Sequence, residues 1–150
     1  MAAPRVTVSV PCFNQGRYLH QALESIFAQD VPVEVFVCDG GSTDESLQVI
    51  RNWEPRLTGW RSHADAGQAA AINEGVAKGS APFVCWLNSD DWMLPRGLER
   101  LLAALDERPS APMAYGRTWN FDEDGQRMKA APIAPRWRRC WRSCAVIVTA

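Results

Sequence analysis

The stretch that decides the fold is residues 83–91, which read Phe83-Val84-Cys85-Trp86-Leu87-Asn88-Ser89-Asp90-Asp91. The apolar run at its start predicts a strand that is buried on both faces of a sheet. The two carboxylates follow at the carboxyl end of that strand, which is where open α/β sheets bind their ligands. Asn-Ser-Asp-Asp is also ordinary turn chemistry, so the pair indicates a divalent-cation site only if other polar groups reach the same edge.

A second strand delivers a carboxylate in a matching place. Residues 33–38 are mostly apolar and run directly into Asp39, Gly40 and Gly41. A further strand at 5–11 alternates β-branched residues and stops at Pro11. We therefore expect several strand ends to bring polar groups to one rim of the sheet.

Strands and amphipathic helices alternate along the whole chain. Helical spacing of apolar residues occurs at 19–27, 47–53 and 98–105, and an alanine-rich helix at 66–75 is small enough to lie close to its neighbours. Ser42 and Glu45 have the spacing of a capping box, and Pro95 suits the first turn of a helix. Weaker strands are predicted at 57–63 and 113–120, a turn at 122–125 and a terminal strand at 145–149. The order predicts one α/β domain over 1–150, with a mainly parallel sheet and helices on both faces.

Composition excludes several classes of protein. A chain of 150 residues can bury a core without metal or disulfide staples, and no signal peptide or membrane-spanning run is visible, so the cytoplasm is the expected location. Five cysteines are an odd number without zinc-ligand partners, which favours buried free thiols. Neither a G-x-G-x-x-G after the first strand nor a G-x-x-x-x-G-K-[ST] occurs, which disfavours a dinucleotide-binding oxidoreductase and a P-loop NTPase.

The end of the chain is basic. No acid follows Asp124, whereas six basic residues do, although the net charge is only −1. A solvated face is the usual meaning of such a run. The segment Arg136–Cys144 also places its aromatic residues on one helical face, which we interpret as core that a missing later part of the fold would cover. An interfacial helix in contact with the inner face of a membrane is the alternative. No nucleic-acid partner is expected.

Four blocks in order resemble family 2 glycosyltransferases of the GT-A fold. They are residues 8–19, 38–44, 65–68 with 72–75, and 87–91, and the resemblance covers about residues 5 to 120. It implies transfer of a sugar from a nucleotide-diphosphate donor to a hydroxyl acceptor, which is a polysaccharide, a lipid-linked sugar or a small molecule. Mg²⁺ or Mn²⁺ would neutralise the leaving diphosphate, and one or two carboxylates are enough to hold such an ion beside phosphates.

The resemblance also implies roles for single residues. Asp91 would be the metal ligand, and Asp90 would face the ribose or the sugar-phosphate side. Asp39 would accept a hydrogen bond from the base, either from the imino group of uracil or thymine or from the donor edge of guanine. The remaining nucleotide-sugar-binding candidates are Pro11, whose backbone would flank the base, Asn14, Asp65 and Gly67, where a small residue would allow close approach of the backbone.

The resemblance does not supply every part of an enzyme. Inverting transfer needs a general base for the acceptor hydroxyl, and no residue matches it, since Asp122, Glu123 and Asp124 lie in a predicted turn. We therefore interpret 1–120 as a nucleotide-sugar-binding part and 121–150 as the start of an incomplete acceptor part. A catalytically silent sugar-nucleotide-binding module is the alternative. A nucleotidyltransferase is disfavoured, because a glycine-rich basic segment after the first strand is missing.

Overall fold

The computed structural model describes residues 2–116, 119 and 146–149. The six strands are β1 (Val6–Cys12), β2 (Val33–Asp39), β3 (Gly59–Ser62), β4 (Phe83–Trp86), β5 (Met113–Tyr115) and β6 (Val146–Thr149). The four α-helices are α1 (Gly16–Phe27), α2 (Ser46–Trp53), α3 (Gln68–Ala77) and α4 (Gly97–Asp106). The predicted turn at 122–125 and the segment Arg136–Cys144 lie outside the described residues. None of the helices in the described part of the chain has the length and apolarity that crossing a membrane requires.

The strands form one sheet in the order β3-β2-β1-β4-β6-β5. The first four are parallel, whereas β6 pairs antiparallel with both β4 and β5. The predicted mainly parallel sheet is therefore confirmed. The terminal strand is paired along both sides, so it is not an exposed edge.

Helices cover both faces of the sheet, as predicted. Alternate residues of β1 point to opposite faces. Val6, Val8 and Val10 belong to one buried apolar cluster with leucines and isoleucines of α1, α2 and α4. Thr7 and Ser9 point the other way, towards α3. The core that supports the carboxyl edge therefore lies between β1 and β2 and the helices α1, α2 and α4.

Helix α3 lies very close to the sheet because glycine faces β1. A Cβ atom at Gly75 would lie 2.2 Å from Oγ of Ser9, and one at Gly79, just after the end of α3, would lie 2.2 Å from Oγ1 of Thr7. Both distances are far shorter than van der Waals contact. The expectation that small residues let this helix approach its neighbours is confirmed.

The predicted thiols behave as buried hydrophobic groups. Cys12, Cys38 and Cys85 are free and buried, and burial raises the pKa of Cys85 to about 12. A thiol with such a pKa stays protonated at neutral pH and is therefore a poor nucleophile. The other two cysteines lie outside the described residues.

Two predicted helix starts were wrong. Ser42 does not cap α2, because its hydroxyl donates to the buried carboxylate of Asp39, and the amide of Ser46 instead bonds Oδ1 of Asp44 at 2.9 Å. Pro95 lies in a turn before α4, which begins at Gly97 after a left-handed residue. At Ser42 a buried partner elsewhere in the fold determines the local geometry, whereas the left-handed conformation of Arg96 delays the start of α4. The predicted strands at 57–63 and 113–120 are also shorter in the structure, where they are β3 and β5.

Candidate functional site

The sheet opens at its carboxyl edge between β1 and β4. The two strands pair only as far as Ser9 and Trp86, and the amide of Leu87 then bonds the carbonyl of Ser9 at 3.0 Å. On the other side, β1 stays paired with β2 up to Cys12 and Asp39. The strand order changes direction here, because β2 and β3 lie on one side of β1 and β4 lies on the other. Open α/β sheets bind ligands at such a position.

Pro11 lies at this opening and fits it. The carbonyl of Ser9 points towards β4, and backbone groups of residues two apart in a strand point in the same direction. The ring nitrogen of Pro11 therefore points towards the β4 side, where the pairing of β1 with β4 has already ended. Proline therefore removes no bond from the ladder here. The predicted position of Pro11 beside a bound base stays a prediction.

Asp39 is fully buried and holds the turn that follows β2. Its Oδ2 accepts hydrogen bonds from the amide of Gly41 at 3.1 Å, the amide of Ser42 at 3.0 Å and the hydroxyl of Ser62 at 2.6 Å. Its Oδ1 accepts a bond from the hydroxyl of Ser42. Burial raises the pKa of Asp39, but these hydrogen bonds outweigh burial and leave the pKa below its ordinary value. The carboxylate is thus ionised and already engaged, and its predicted bond to a nucleobase stays a prediction.

Asn14 joins the loop after β1 to the loop after β2. Its backbone amide donates to Oγ of Ser42 at 2.7 Å, and its side-chain oxygen accepts from the backbone amide of Thr43 at 2.9 Å. The residue has a positive φ of 53°, which asparagine tolerates better than most residues. Asn14 therefore shapes the rim, while contact with a donor stays a prediction.

Asp44, which the sequence analysis did not select, caps two helices at once. Its Oδ2 accepts from the amide of Gly16 at the start of α1, at 2.9 Å, and its Oδ1 accepts from the amide of Ser46 at the start of α2. A carboxylate at two helix N-termini is favoured by both sets of backbone dipoles. Asp44 thus fixes the two loops of the rim relative to each other.

Arg61 on β3 is the second residue that the sequence analysis missed. Only 9% of its surface is exposed, and its guanidinium donates to the backbone carbonyls of Asp39 and His63. The same group forms ion pairs with Asp65 at 2.9 Å and with Glu74 of α3 at 2.8 Å. Arg61 therefore ties the end of β2, the Asp65 loop and α3 together. The signal available in the sequence was an arginine within a short predicted strand, with the acids Asp65 and Glu74 later in the chain.

Charges around Arg61 are mutually stabilised. Hydrogen bonds from Lys78 and Arg61 lower the pKa of Glu74 to about 2. Burial lowers the pKa of Arg61, but its bonds to Glu74 and Asp65 outweigh burial and raise it above the ordinary value. The buried cation is thus paired with two carboxylates, which is the condition under which a buried charge is tolerated.

Asp65 and Gly67 form a turn before α3. Oδ2 of Asp65 is paired with Arg61, and Oδ1 accepts from the amide of Gly67 at 2.8 Å. Gly67 has a φ of 102°, which requires glycine, while nothing in the protein lies within 4 Å of where its Cβ would be. The backbone conformation of Gly67 is thus a reason for glycine that the sequence analysis did not give, and the predicted close approach of the backbone to a nucleotide stays a prediction. A donor contact at either residue stays a prediction.

Asp90 and Asp91 follow β4 as expected. Asp90 is exposed, and Asp91 is half-buried. Oδ2 of Asp91 accepts from Nδ2 of Asn88 at 3.1 Å, and Oδ1 of Asn88 accepts from Nε2 of Gln68 at 2.8 Å. Because Gln68 is the first residue of α3, the turn that carries the two acids is bonded to that helix.

Helix α1 supports the segment that follows the two acids. The amide of Met93 donates to Oγ of Ser25 at 2.9 Å, and the side chain of Gln29 bonds the carbonyl of Leu94 and the amide of Leu98. Gln29 is buried, so these bonds are shielded from water. The loop between β4 and α4 is therefore held at both ends.

The donor set at the end of β4 fits the implied divalent cation. Among the side chains that the structure describes, no three His, Cys, Asp or Glu residues come together as a metal cage. The carboxylates of Asp90 and Asp91 nevertheless supply hard oxygen ligands at the opening. Magnesium-like ions keep waters and bind through one or two carboxylates together with substrate phosphates, so two acids are sufficient.

Comparisons with known proteins agree with this architecture. The family model described as Glycosyl transferase family 2 matches residues 7–145. Glycosyltransferase GlyA of Streptococcus pneumoniae is 32% identical over 123 residues, which are 79% of this chain and 17% of that protein.

Two solved structures have a similar fold. The S. aureus TarS 1-349 complex with UDP-GlcNAc superposes with a TM-score of 0.65 at 27% identity, over 73% of this chain and 33% of the TarS 1-349 chain. Mannosyltransferase PcManGT from Pyrobaculum calidifontis, solved with GDP-Man and Mn²⁺, gives a TM-score of 0.61 at 28% identity, over 74% of this chain and 34% of that protein. The chain thus spans well under two thirds of each of these proteins. The parallel sheet with flanking helices, the polar rim at its carboxyl edge and the match over residues 7–145 together establish that this chain belongs to glycosyl transferase family 2.

Proposed function

We propose that this chain is the nucleotide-sugar-binding part of a metal-dependent, inverting glycosyltransferase. The complete protein transfers a sugar from a nucleotide-diphosphate donor to a hydroxyl acceptor, which is a polysaccharide, a lipid-linked sugar or a small molecule. The observation that carries the proposal is the rim around the opening between β1 and β4, where the loops after β1, β2 and β4 are bonded to one another or to α3. The donors in the TarS and PcManGT structures support the class of ligand.

The base side of the donor site is formed by the loops after β1 and β2. Phe13 is 62% exposed and lies against Gly40, where a Cβ would be only 3.2 Å from its ring. An exposed aromatic face at this opening suits stacking with a nucleobase. A base that also bonds Asp39 displaces one of the two serine hydroxyls on it, since Ser42 and Ser62 can rotate while the backbone amides stay in place.

The diphosphate side is formed by Asp90 and Asp91. A divalent cation bound there neutralises the charge of the departing nucleoside diphosphate. Asp91 holds it through a carboxylate that Asn88 orients. Asp90, which is exposed, faces the ribose or the sugar phosphate.

Two parts of the proposal are not tied to a described residue. The general base for the acceptor hydroxyl is not assigned to any residue. The contact of Arg136–Cys144 with a membrane surface, and with it a location at the inner face of the membrane instead of the cytoplasm alone, stays a prediction.

Calorimetric titration tests the donor site. We expect UDP, GDP or dTDP to bind more tightly with Mn²⁺ than without it, and Asp91→Asn to remove most of this gain. Asp106→Asn is the matched control, since Asp106 is exposed in its pair with Arg5 at the other end of β1. Equal affinities of the wild-type protein with and without Mn²⁺ for all three nucleotides would contradict the metal site.

Product analysis separates an enzyme from a silent binding module. The full-length protein is incubated with a panel of sugar nucleotides and hydroxyl acceptors, and the anomeric configuration of the product is read by NMR. An inverted product supports the proposal, and a retained configuration contradicts the inverting mechanism. Binding without any product favours the silent module.

A further inference from the structure

A pair of side-chain amides connects α3 to the acids that follow β4. Nε2 of Gln68 donates to Oδ1 of Asn88 at 2.8 Å, and Nδ2 of the same Asn88 donates to Oδ2 of Asp91 at 3.1 Å. Asn88 is half-buried, whereas Gln68 is exposed. The exposed side chain therefore contributes little to the core and mainly holds Asn88.

The direction of these bonds matters chemically. An asparagine amide presents an acceptor on one side and a donor on the other. Because Gln68 donates to the oxygen of Asn88, the NH₂ group of Asn88 is the side that faces Asp91. Without Gln68, the amide of Asn88 loses the bond that holds its oxygen on the side away from Asp91. Gln68 thus selects the orientation in which Asn88 orients Asp91.

The amide pair also connects the turn before α3 to the acids that follow β4. Asp65 pairs with Arg61 through one oxygen and bonds the amide of Gly67 through the other. Gly67 immediately precedes Gln68 at the start of α3. A continuous set of contacts therefore runs from Arg61, which bonds the carbonyl of Asp39, to the carboxylate of Asp91.

We propose that Gln68 is a positioning residue that acts through Asn88 to hold Asp91 ready for the cation, and so couples cation binding to nucleotide binding. This inference rests on the proposed function of the site. It adds Gln68 and Asn88 to the site as residues that act through the carboxylate of Asp91. Partners that orient a metal ligand typically change metal affinity or activity by about 10- to 100-fold when they are removed.

The test uses Gln68→Met, which keeps the length and helix propensity of the side chain but removes the donor. Gln48→Met is the matched control, because Gln48 is also an exposed helix glutamine that donates to an asparagine, Asn52, at 3.0 Å. Each variant is titrated with UDP and with GDP, with and without Mn²⁺, and its thermal unfolding is measured without metal. The ratio of the two affinities of each nucleotide gives the coupling.

We expect Gln68→Met to lower the Mn²⁺-dependent gain in affinity about tenfold and to leave affinity without metal and unfolding temperature unchanged. Gln48→Met should leave all three values unchanged. In an Asn88→Ala background, Gln68→Met should have no additional effect, since it acts through Asn88.

The outcomes separate this inference from the proposed function. A wild-type protein without Mn²⁺-dependent binding contradicts the proposed site itself. A wild-type protein with such binding, together with an unchanged gain in Gln68→Met, overturns only the positioning role. A lower unfolding temperature with an unchanged affinity ratio also overturns it, because that result assigns Gln68 to stability.

Discussion

Replacing Asp39 with asparagine tests the claim that its carboxylate anchors the rim. The buried carboxylate accepts four hydrogen bonds, three of them at Oδ2. An asparagine oxygen can keep the three donors at Oδ2, but each bond becomes neutral and loses about 1 kcal/mol. Relief of the desolvation of the charge offsets part of this loss, so we expect a net destabilisation of about 2 kcal/mol.

Thermal unfolding measures this change. For a domain of this size, about 2 kcal/mol lowers the melting temperature by about 4–8 °C. Asp106→Asn is the control, since its pair with Arg5 is exposed and 3.6 Å long, and it should change stability by less than about 0.5 kcal/mol. A melting temperature for Asp39→Asn within about 1 °C of the wild type would refute the anchoring role.

The pH dependence of the same comparison gives a second check. The pKa of Asp39 in the folded protein is below the ordinary value of 3.8. Its contribution to stability is therefore complete above 3.8 and is lost as the pH falls through the folded pKa. The difference between wild type and Asp39→Asn should be constant at neutral pH and shrink in strong acid. A difference that grows in acid would contradict the assigned direction.

Three further substitutions test other contacts. Arg61→Met should destabilise the protein by about 2–3 kcal/mol in thermal unfolding and weaken nucleotide binding in calorimetric titration. Arg61→Lys should restore only part of the stability and of the binding, since lysine lacks the planar guanidinium. Arg100→Met is the control in both assays, because Arg100 is exposed. Gly75→Ala should cost about 1–3 kcal/mol in denaturant unfolding, because its Cβ would lie 2.2 Å from Oγ of Ser9, and Ser9→Ala should recover part of the loss. Burial raises the pKa of Glu34, but bonds from two hydroxyls and two backbone amides outweigh burial and lower the pKa below 4.5. Glu34→Gln should therefore cost about 1–2 kcal/mol in denaturant unfolding at neutral pH and progressively less in acid.

The sequence predicted those parts of the fold that depend on local patterns. Period-two and helical spacing of apolar residues located four parallel strands and four helices, because each element buries one face or both faces against its neighbours. Ordered motifs placed Asp39 and Asp91 at strand ends on one edge. The predicted start of α2 was wrong because the hydroxyl of Ser42 bonds the buried carboxylate of Asp39. That bond is more favourable than a bond from Ser42 to the helix end.

Contacts between distant segments of the chain could not be predicted in the same way. Arg61 meets Glu74 only after β3 and α3 have packed, and one carboxylate of Asp44 caps two helices only after α1 and α2 lie side by side. The positive φ of Gly67 depends on the turn that Asp65 forms, so the sequence pattern did not reveal that this position needs glycine. Sequence patterns therefore indicate the candidate site, whereas tertiary packing determines which residues hold its loops together.

The central claim is that a nucleoside diphosphate and a divalent cation bind at the opening between β1 and β4. The most direct measurement is a crystal structure with UDP or GDP and Mn²⁺, in which the anomalous signal of manganese locates the ion. We predict a manganese peak within coordination distance of a carboxylate oxygen of Asp91, with the diphosphate beside it and the base against Phe13. A nucleotide bound elsewhere on the chain, or a manganese peak away from Asp91, would contradict the account.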